Sequence, residues 1–189
     1  MTTIHNTTII EPAYLPTDCW SEVLSFMPTR ERFLTSQTNK EIYESLRFSF
    51  IGQTINLVNT KITDAGLAHL RNVKVINLQY CKNITGYGLA HLSNVEDINL
   101  WGCQGVTDAG LAHLSNVDNI GLSGCEGITD AGLAHLSNVK EIDLRECYVT
   151  DAGLAYLENV KVINLTCCCD GVTDSGKQRL RARGVQVIG

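Results

Sequence analysis

The chain has 189 residues, 44% hydrophobic and 19% charged, an ordinary globular usage that excludes a disordered or collagen-like polymer. A net charge of −5 argues against a nucleic-acid partner, and no apolar run approaches the ~20 residues of a membrane-spanning helix. Eight cysteines are unusual; Met1–Glu11 carries neither the basic nor the apolar region of a secretory signal, so reduced thiols in an intracellular protein, cytoplasmic or nuclear, are expected.

Residues 1–11 read as a flexible tail, and residues 12–50 as a segment of three short helices without a repeat period. Trp20, Val23, Leu24 and Met27 fall at i, i+3, i+4 and i+7, one face of an amphipathic helix. Thr17 or Asp18 can cap its start and Pro28 ends it. Thr29 can cap a second helix carrying Phe33 and Leu34, and a third runs from Asn39 with Ile42, Tyr43 and Leu46 on its buried side. So short a segment makes a weak core alone and is expected to cover the open edge of the residues C-terminal to it.

The pattern Leu15-Pro16-x-Asp18-x-Trp20-x-Glu22-Val23-Leu24-Ser25-Phe26-Met27-Pro28, followed by Asn39-Lys40-Glu41-Ile42-Tyr43, resembles an F-box. Met27 replaces the usual Leu, and Thr38 stands where an apolar residue is common. The resemblance implies docking on a Skp-type adaptor of a cullin–RING ubiquitin ligase through Leu15, Pro16, Val23, Leu24, Met27 and Pro28. Val23, Leu24 and Met27 would be shared between that contact and the internal core.

From residue 51 to 189 a repeat takes over. Ile55-Asn56-Leu57 recurs as Ile76-Asn77-Leu78, Ile98-Asn99-Leu100, Ile120-Gly121-Leu122, Ile142-Asp143-Leu144 and Ile163-Asn164-Leu165, and Val185-Gln186-Val187 reads as a degenerate last copy. Three residues after each Leu stands Thr60, then Cys81, Cys103, Cys125, Cys147 and Cys168. Next comes a run such as Val106-Thr107-Asp108-Ala109-Gly110-Leu111-Ala112-His113-Leu114. The alternation predicts a half-buried strand, and the later run a short helix with Thr at its N-cap and Asp at the positive end of its dipole. The helix glycines 66, 88, 110, 132, 153 and 176 suggest that neighbouring helices approach too closely for a side chain.

The Ile-x-Leu-x-x-Cys series and the Thr-Asp-x-Gly-Leu runs resemble leucine-rich repeats, specifically the cysteine-containing subtype, with units about four residues shorter than usual. The implied fold class is α/β: a solenoid of six repeats and a terminal capping strand, with parallel strands on the concave face, short helices on the convex face and the F-box packed at the N-terminal end. F-box and repeats together resemble the substrate receptors of Skp–cullin–F-box ligases, which are non-catalytic and need no cofactor. A stand-alone repeat scaffold or inhibitor is the alternative.

Residues flanking the core Ile and Leu point outward. They form a column of Asn56, Asn77, Asn99, Gly121, Asp143 and Asn164. A second column is Val58, Gln79, Trp101, Ser123, Arg145 and Thr166, and a third is Asn59, Tyr80, Gly102, Gly124, Glu146 and Cys167. Trp, Tyr and Arg dominate binding hot spots, so Gln79, Tyr80, Trp101, Asp143, Arg145 and Glu146 are the expected target-binding residues. Gly102, Gly121 and Gly124 are expected to leave a depression beside Trp101, with Glu141 in a charged flank.

The remaining features have structural readings. The cysteine column is expected to be buried and reduced, its S–H groups satisfying turn backbone. Cys167-Cys168-Cys169 lacks the spacing of a zinc site, and Cys168 is the ladder residue by count, with Cys169 the alternative if this longer turn bulges. His69, His91, His113 and His135 form a half-exposed helix column, and the basic run from Lys177 to Arg183 suits a helix C-terminus. No nucleophile–base pair or phosphate loop stands out.

Overall fold

The computed structural model describes residues 54–68, 70–168 and 171–189. The expected tail over 1–11, the helical segment over 12–50 with its six adaptor-binding residues, His69 and Cys169 lie outside the described residues. Seven strands run in chain order, β1 Thr54–Asn56, β2 Val75–Asn77, β3 Asp97–Asn99, β4 Asn119–Gly121, β5 Glu141–Asp143, β6 Val162–Asn164 and β7 Gln186–Ile188. They pair in sequence order as one parallel sheet. Between them lie one-turn helices, α1 Asp64–Leu67, α2 Gly86–Leu89, α3 Asp108–Leu111, α4 Asp130–Leu133 and α5 Asp151–Leu154, and the longer α6 Asp174–Ala182. Two of the short helices run on as 3₁₀ turns, Ala90–Leu92 and Ala112–Leu114.

Each repeat buries the same positions, as with Ile98, Leu100, Cys103, Val106, Leu111, Leu114 and Val117, all at 1% exposure or less. No single unit could enclose that apolar surface; stacking makes one continuous core. Register is strict, with Ile55, Ile76, Ile98, Ile120, Ile142 and Ile163 side by side. At the last strand the expectation fails. Val187, not Val185, pairs with Ile163. The nine-residue α6 lengthens the connection by two residues, which preserves the in–out alternation and leaves Val185 buried at 6% exposure.

Two side-chain ladders join the repeats. In the interior, the thiols of Cys81, Cys103, Cys125, Cys147 and Cys168 donate to the carbonyls of Leu57, Leu78, Leu100, Leu122 and Leu144 at 2.9–3.1 Å. Those carbonyls also accept the N–H that closes their own turn, from Thr60, Cys81, Cys103, Cys125 and Cys147 respectively, so both lone pairs of a buried oxygen are used. Burial is the main cause that raises the Cys103 and Cys147 thiols to about 12, and it pushes Cys125 up as well. None of these cysteines forms a disulfide, and Cys167 is exposed.

The second ladder explains four of the six repeated helix glycines. The Asp64 carboxylate accepts the backbone N–H of Thr85 at 2.8 Å and its hydroxyl at 2.6 Å. Asp108 does the same for Thr129, Asp130 for Thr150 and Asp151 for Thr173. A Cβ at Gly88, Gly132, Gly153 or Gly176 would collide with the carboxylate of that preceding Asp. The glycine therefore makes room for a side chain of the neighbouring repeat rather than for a neighbouring backbone. Gly86 has no carboxylate, and here the sequence expectation of backbone approach does hold, because Gly110 lies against the Gly86 Cα.

The Thr hydroxyls also cap, as expected, at Thr85, Thr129, Thr150 and Thr173, whereas Thr63 and Thr107 make no side-chain cap bond. Hydrogen bonds from Thr173 are the chief cause that lowers the Asp151 carboxyl below its ordinary 3.8. With a folded-state value below the unfolded one, its contribution to stability is complete above pH 3.8 and is lost as pH falls through the depressed value. At the C-terminal end Arg183 donates to the carbonyls of Leu157 and Glu158 at 2.7 and 2.8 Å, and Arg179 pairs with Asp151 at 3.0 Å. The basic run thus caps the preceding repeat.

Gly153→Ala forces the Asp130 carboxylate off Thr150, and we expect a loss of about 1–3 kcal/mol in urea unfolding against wild type. The thiols make a separate test. In the native state at pH 8, iodoacetamide is expected to label Cys167 and spare Cys103, Cys125 and Cys147, all four reacting once the chain is unfolded.

Candidate protein-binding face

The concave sheet surface starts from the central column, and most of that column has a local role. Asn56, Asn77, Asn99, Asp143 and Asn164 each accept the backbone N–H two residues on, at 3.0–3.3 Å, ending the strand in an Asx turn. Gly121 has no side chain to do this. The next turn position is left-handed in every repeat: φ is 57° at Asn59, 59° at Tyr80, 69° at Gly102, 65° at Gly124, 59° at Glu146 and 57° at Cys167. Gly102 and Gly124 meet that demand without strain, whereas Tyr80, Glu146 and Cys167 hold a conformation that costs a side chain about 1–2 kcal/mol.

Tyr80 shows what is gained. Its ring lies over Gly102, where a Cβ would come within 2.6 Å of it, and packs at 5.1 Å and 45° against the Trp101 ring. The Arg145 guanidinium sits 5.4 Å from the centre of the same Trp101 ring. Arg145 reaches it across Ser123, which is only 2% exposed. Asp143 holds Arg145 in place, accepting from Nε at 3.0 Å and from a terminal nitrogen at 2.7 Å. These bonds are the leading cause that raises the guanidinium above its ordinary value, and Glu146 and Cys167 lie within electrostatic reach. Trp101 is thus a half-buried platform with a partner on either side.

The structure joins Tyr80, Trp101, Asp143 and Arg145 into one contact network, with Gln79 half-buried and Glu146 exposed beside it. The expected depression is corrected in place and extent. Tyr80 fills the space over Gly102, and Trp101 lies 3.8 Å from the Cβ position of Gly124. A shallow groove of about 240 Å³ runs across β3–β6 past Gly121, where Asn99 Oδ1 stands 3.0 Å from the Cβ position. The groove is lined in part by Asp97, Asn119 and Glu141, members of an outward column that precedes each core Ile. Sequence reasoning passed over Asp97 and Asn119, although the same alternation that placed Asn99 outward also places the residue before Ile98 there. Among the described residues no group of three or more His, Cys, Asp or Glu side chains is placed to hold a metal ion.

Replacing Glu146 with Gly relieves the left-handed residue that does not stack on the platform. We expect Glu146→Gly to stabilise the fold by about 0.5–1 kcal/mol in urea unfolding. Tyr80→Gly, which relieves the same strain but loses the Trp101 contact, should show no such gain.

Residues 14–49 match the F-box domain model. No curated protein matches the chain. Among solved structures, the yeast Rad7 and Elc1 complex is similar at 20% identity and TM-score 0.57, over 67% of this chain. This chain spans only 37% of the matched Rad7–Elc1 chain. Internalin C2 from Listeria monocytogenes is similar at 19% identity and TM-score 0.60, over 92% of this chain and 91% of that one. These likenesses establish the fold: a parallel-stranded leucine-rich-repeat solenoid, preceded in sequence by the F-box match.

Proposed function

We propose that the chain is the substrate-recognition subunit of a Skp–cullin–F-box ubiquitin ligase. The observation that carries this reading is the F-box match at residues 14–49, directly before a repeat solenoid with an open concave face. A chain of similar fold occurs in the complex of Rad7 with Elc1, which supports a repeat protein working in assembly with a second protein. In this reading Leu15, Pro16, Val23, Leu24, Met27 and Pro28 dock a Skp-type adaptor. Gln79, Tyr80, Trp101, Asp143, Arg145 and Glu146 hold a target protein.

The division of labour is physical. The platform presents a rigid aromatic surface whose ordering entropy is already spent before a partner arrives. The chain positions a target and leaves bond-making to other subunits, so its role is that of a non-catalytic receptor. No helix of the described residues is long and apolar enough to cross a membrane, and we place the protein inside the cell, in cytoplasm or nucleus, where such ligases work. The periodic thiol ladder supports the cysteine-containing subtype of the repeat.

Mixing the purified chain with a Skp-type adaptor should give a stable complex on size-exclusion chromatography. Leu15→Asp combined with Pro16→Ala should abolish it, and Trp101→Ala, far along the solenoid, should leave it intact. If wild type does not bind the adaptor, ubiquitin coupling is wrong and a stand-alone repeat scaffold takes its place.

A further inference from the structure

The turn after β4 brings together two polar groups that the fold itself does not use. Gly124 has no side chain, and the point where a Cβ would stand lies 3.7 Å from Glu146 Oε2, 3.8 Å from Trp101 Cδ1 and 3.9 Å from Trp101 Nε1. Among the described residues no atom of a neighbouring repeat is nearer to that point. An indole N–H from the rung before and a carboxylate from the rung after therefore border one small open space.

Glu146 makes no hydrogen bond or ion pair among the described residues, yet it holds a left-handed turn position, φ 59°, where glycine would stand without strain. At Tyr80 the same strain has a structural reason in the Trp101 contact. At Glu146 the fold supplies none, which points to the carboxylate as what the position keeps. The Trp101 Nε1–H, on a half-buried ring, likewise has no acceptor among the described residues, although such groups usually find one. Ser123, the residue before Gly124 in the outward column of Trp101 and Arg145, is 2% exposed and leaves its hydroxyl unpartnered among the described residues.

Charge narrows what can enter. The Arg145 guanidinium stands 5.4 Å from the centre of the same indole and opposes a cation, while Glu146 and Asp143 oppose an anion. A neutral group with one acceptor and one donor on adjacent positions meets neither obstacle, and the primary amide of glutamine or asparagine is such a group. A main-chain peptide unit suits the space less well, because its C=O and N–H point away from each other across a planar trans bond.

We infer that the space over Gly124 receives a glutamine or asparagine side chain of the target, its carbonyl accepting from Trp101 Nε1 and its NH₂ donating to Glu146. The inference rests on the reading that the concave face holds the target, and it adds the chemistry of one contact.

The test is an NMR titration of the ¹⁵N-labelled full chain with N-acetyl-Gly-Gln-Gly-N-methylamide, and in parallel with the same peptide carrying Glu, Lys or Gly in the middle. The indole signal that disappears in Trp101→Phe is that of Trp101. The Gln peptide should move this signal and the Gly124 amide saturably, and the other three should leave both in place. Glu146→Gly removes the acceptor from a position where a gain in stability is expected, and it should weaken the Gln peptide roughly tenfold, the worth of one charge-assisted hydrogen bond. Trp101→Phe keeps a ring without the N–H and, read at the Gly124 amide, should weaken it roughly fivefold. Absence of a saturable shift, an equal shift with the Glu, Lys or Gly peptide, or wild-type affinity in either variant overturns the proposal. Adaptor capture is not read by this titration, so each of the two readings can fail without the other.

Discussion

A buried carbonyl with two lone pairs is the constraint on which the rest of this structure depends. At the end of each of strands β1 to β5 a Leu carbonyl turns into the core, takes the N–H of its own turn and still needs a second donor. From Leu57 to Leu144 the second donor is the thiol of a cysteine one repeat further on. Cysteine is suited to the task because it is small, tolerates full burial and carries one weak donor without a charge. Once each repeat must offer its thiol to the previous carbonyl, neighbouring strands have only one register. The Asp–Thr bonds repeat the same instruction on the helix side, where the glycine opposite each carboxylate leaves it room.

Because inter-repeat cohesion is settled in the core and along the helix side, the concave surface is free to differ from rung to rung. That freedom is visible at the left-handed turn, where glycine would serve everywhere but Tyr80, Glu146 and Cys167 stand instead. Strain held at a surface position needs a local reason, and for Tyr80 the reason is the ring contact that props Trp101. Arg145 completes the platform from the far side, fixed by Asp143. The result is a stiff aromatic ledge beside a shallow groove across β3–β6.

Much of the fold could be read from residue order alone, because a repeat states its own period. The strands, the thiol column, the Thr caps and the outward positions of Trp101 and Arg145 are all consequences of spacing. What escaped had its cause elsewhere in the chain. The glycines were legible as a repeated choice, but the carboxylate each accommodates lies 23 to 25 residues earlier, a partnership that spacing does not announce. The last strand was set two residues early because Val185 and Val187 have equal claims in an alternating pattern, and only the length of α6 decides between them. The depression was placed beside Trp101 because three glycines cluster there, yet the Tyr80 ring fills the space over Gly102 and the groove runs past Gly121 across β3–β6. The F-box match at residues 14–49 lies outside the repeat pattern and rests on its own residues.

Native-state amide hydrogen exchange on the intact chain tests most directly whether these inter-repeat bonds set the register. The amides of Leu78, Leu100, Leu122 and Leu144, which donate into the next strand, should exchange together as one cooperative unit. Those of Thr129 and Thr150, held by Asp108 and Asp130, should exchange more slowly than that of Thr107, which has Gly86 in place of the carboxylate. Equal exchange at the three threonines, or strands that open independently of one another, would contradict the account.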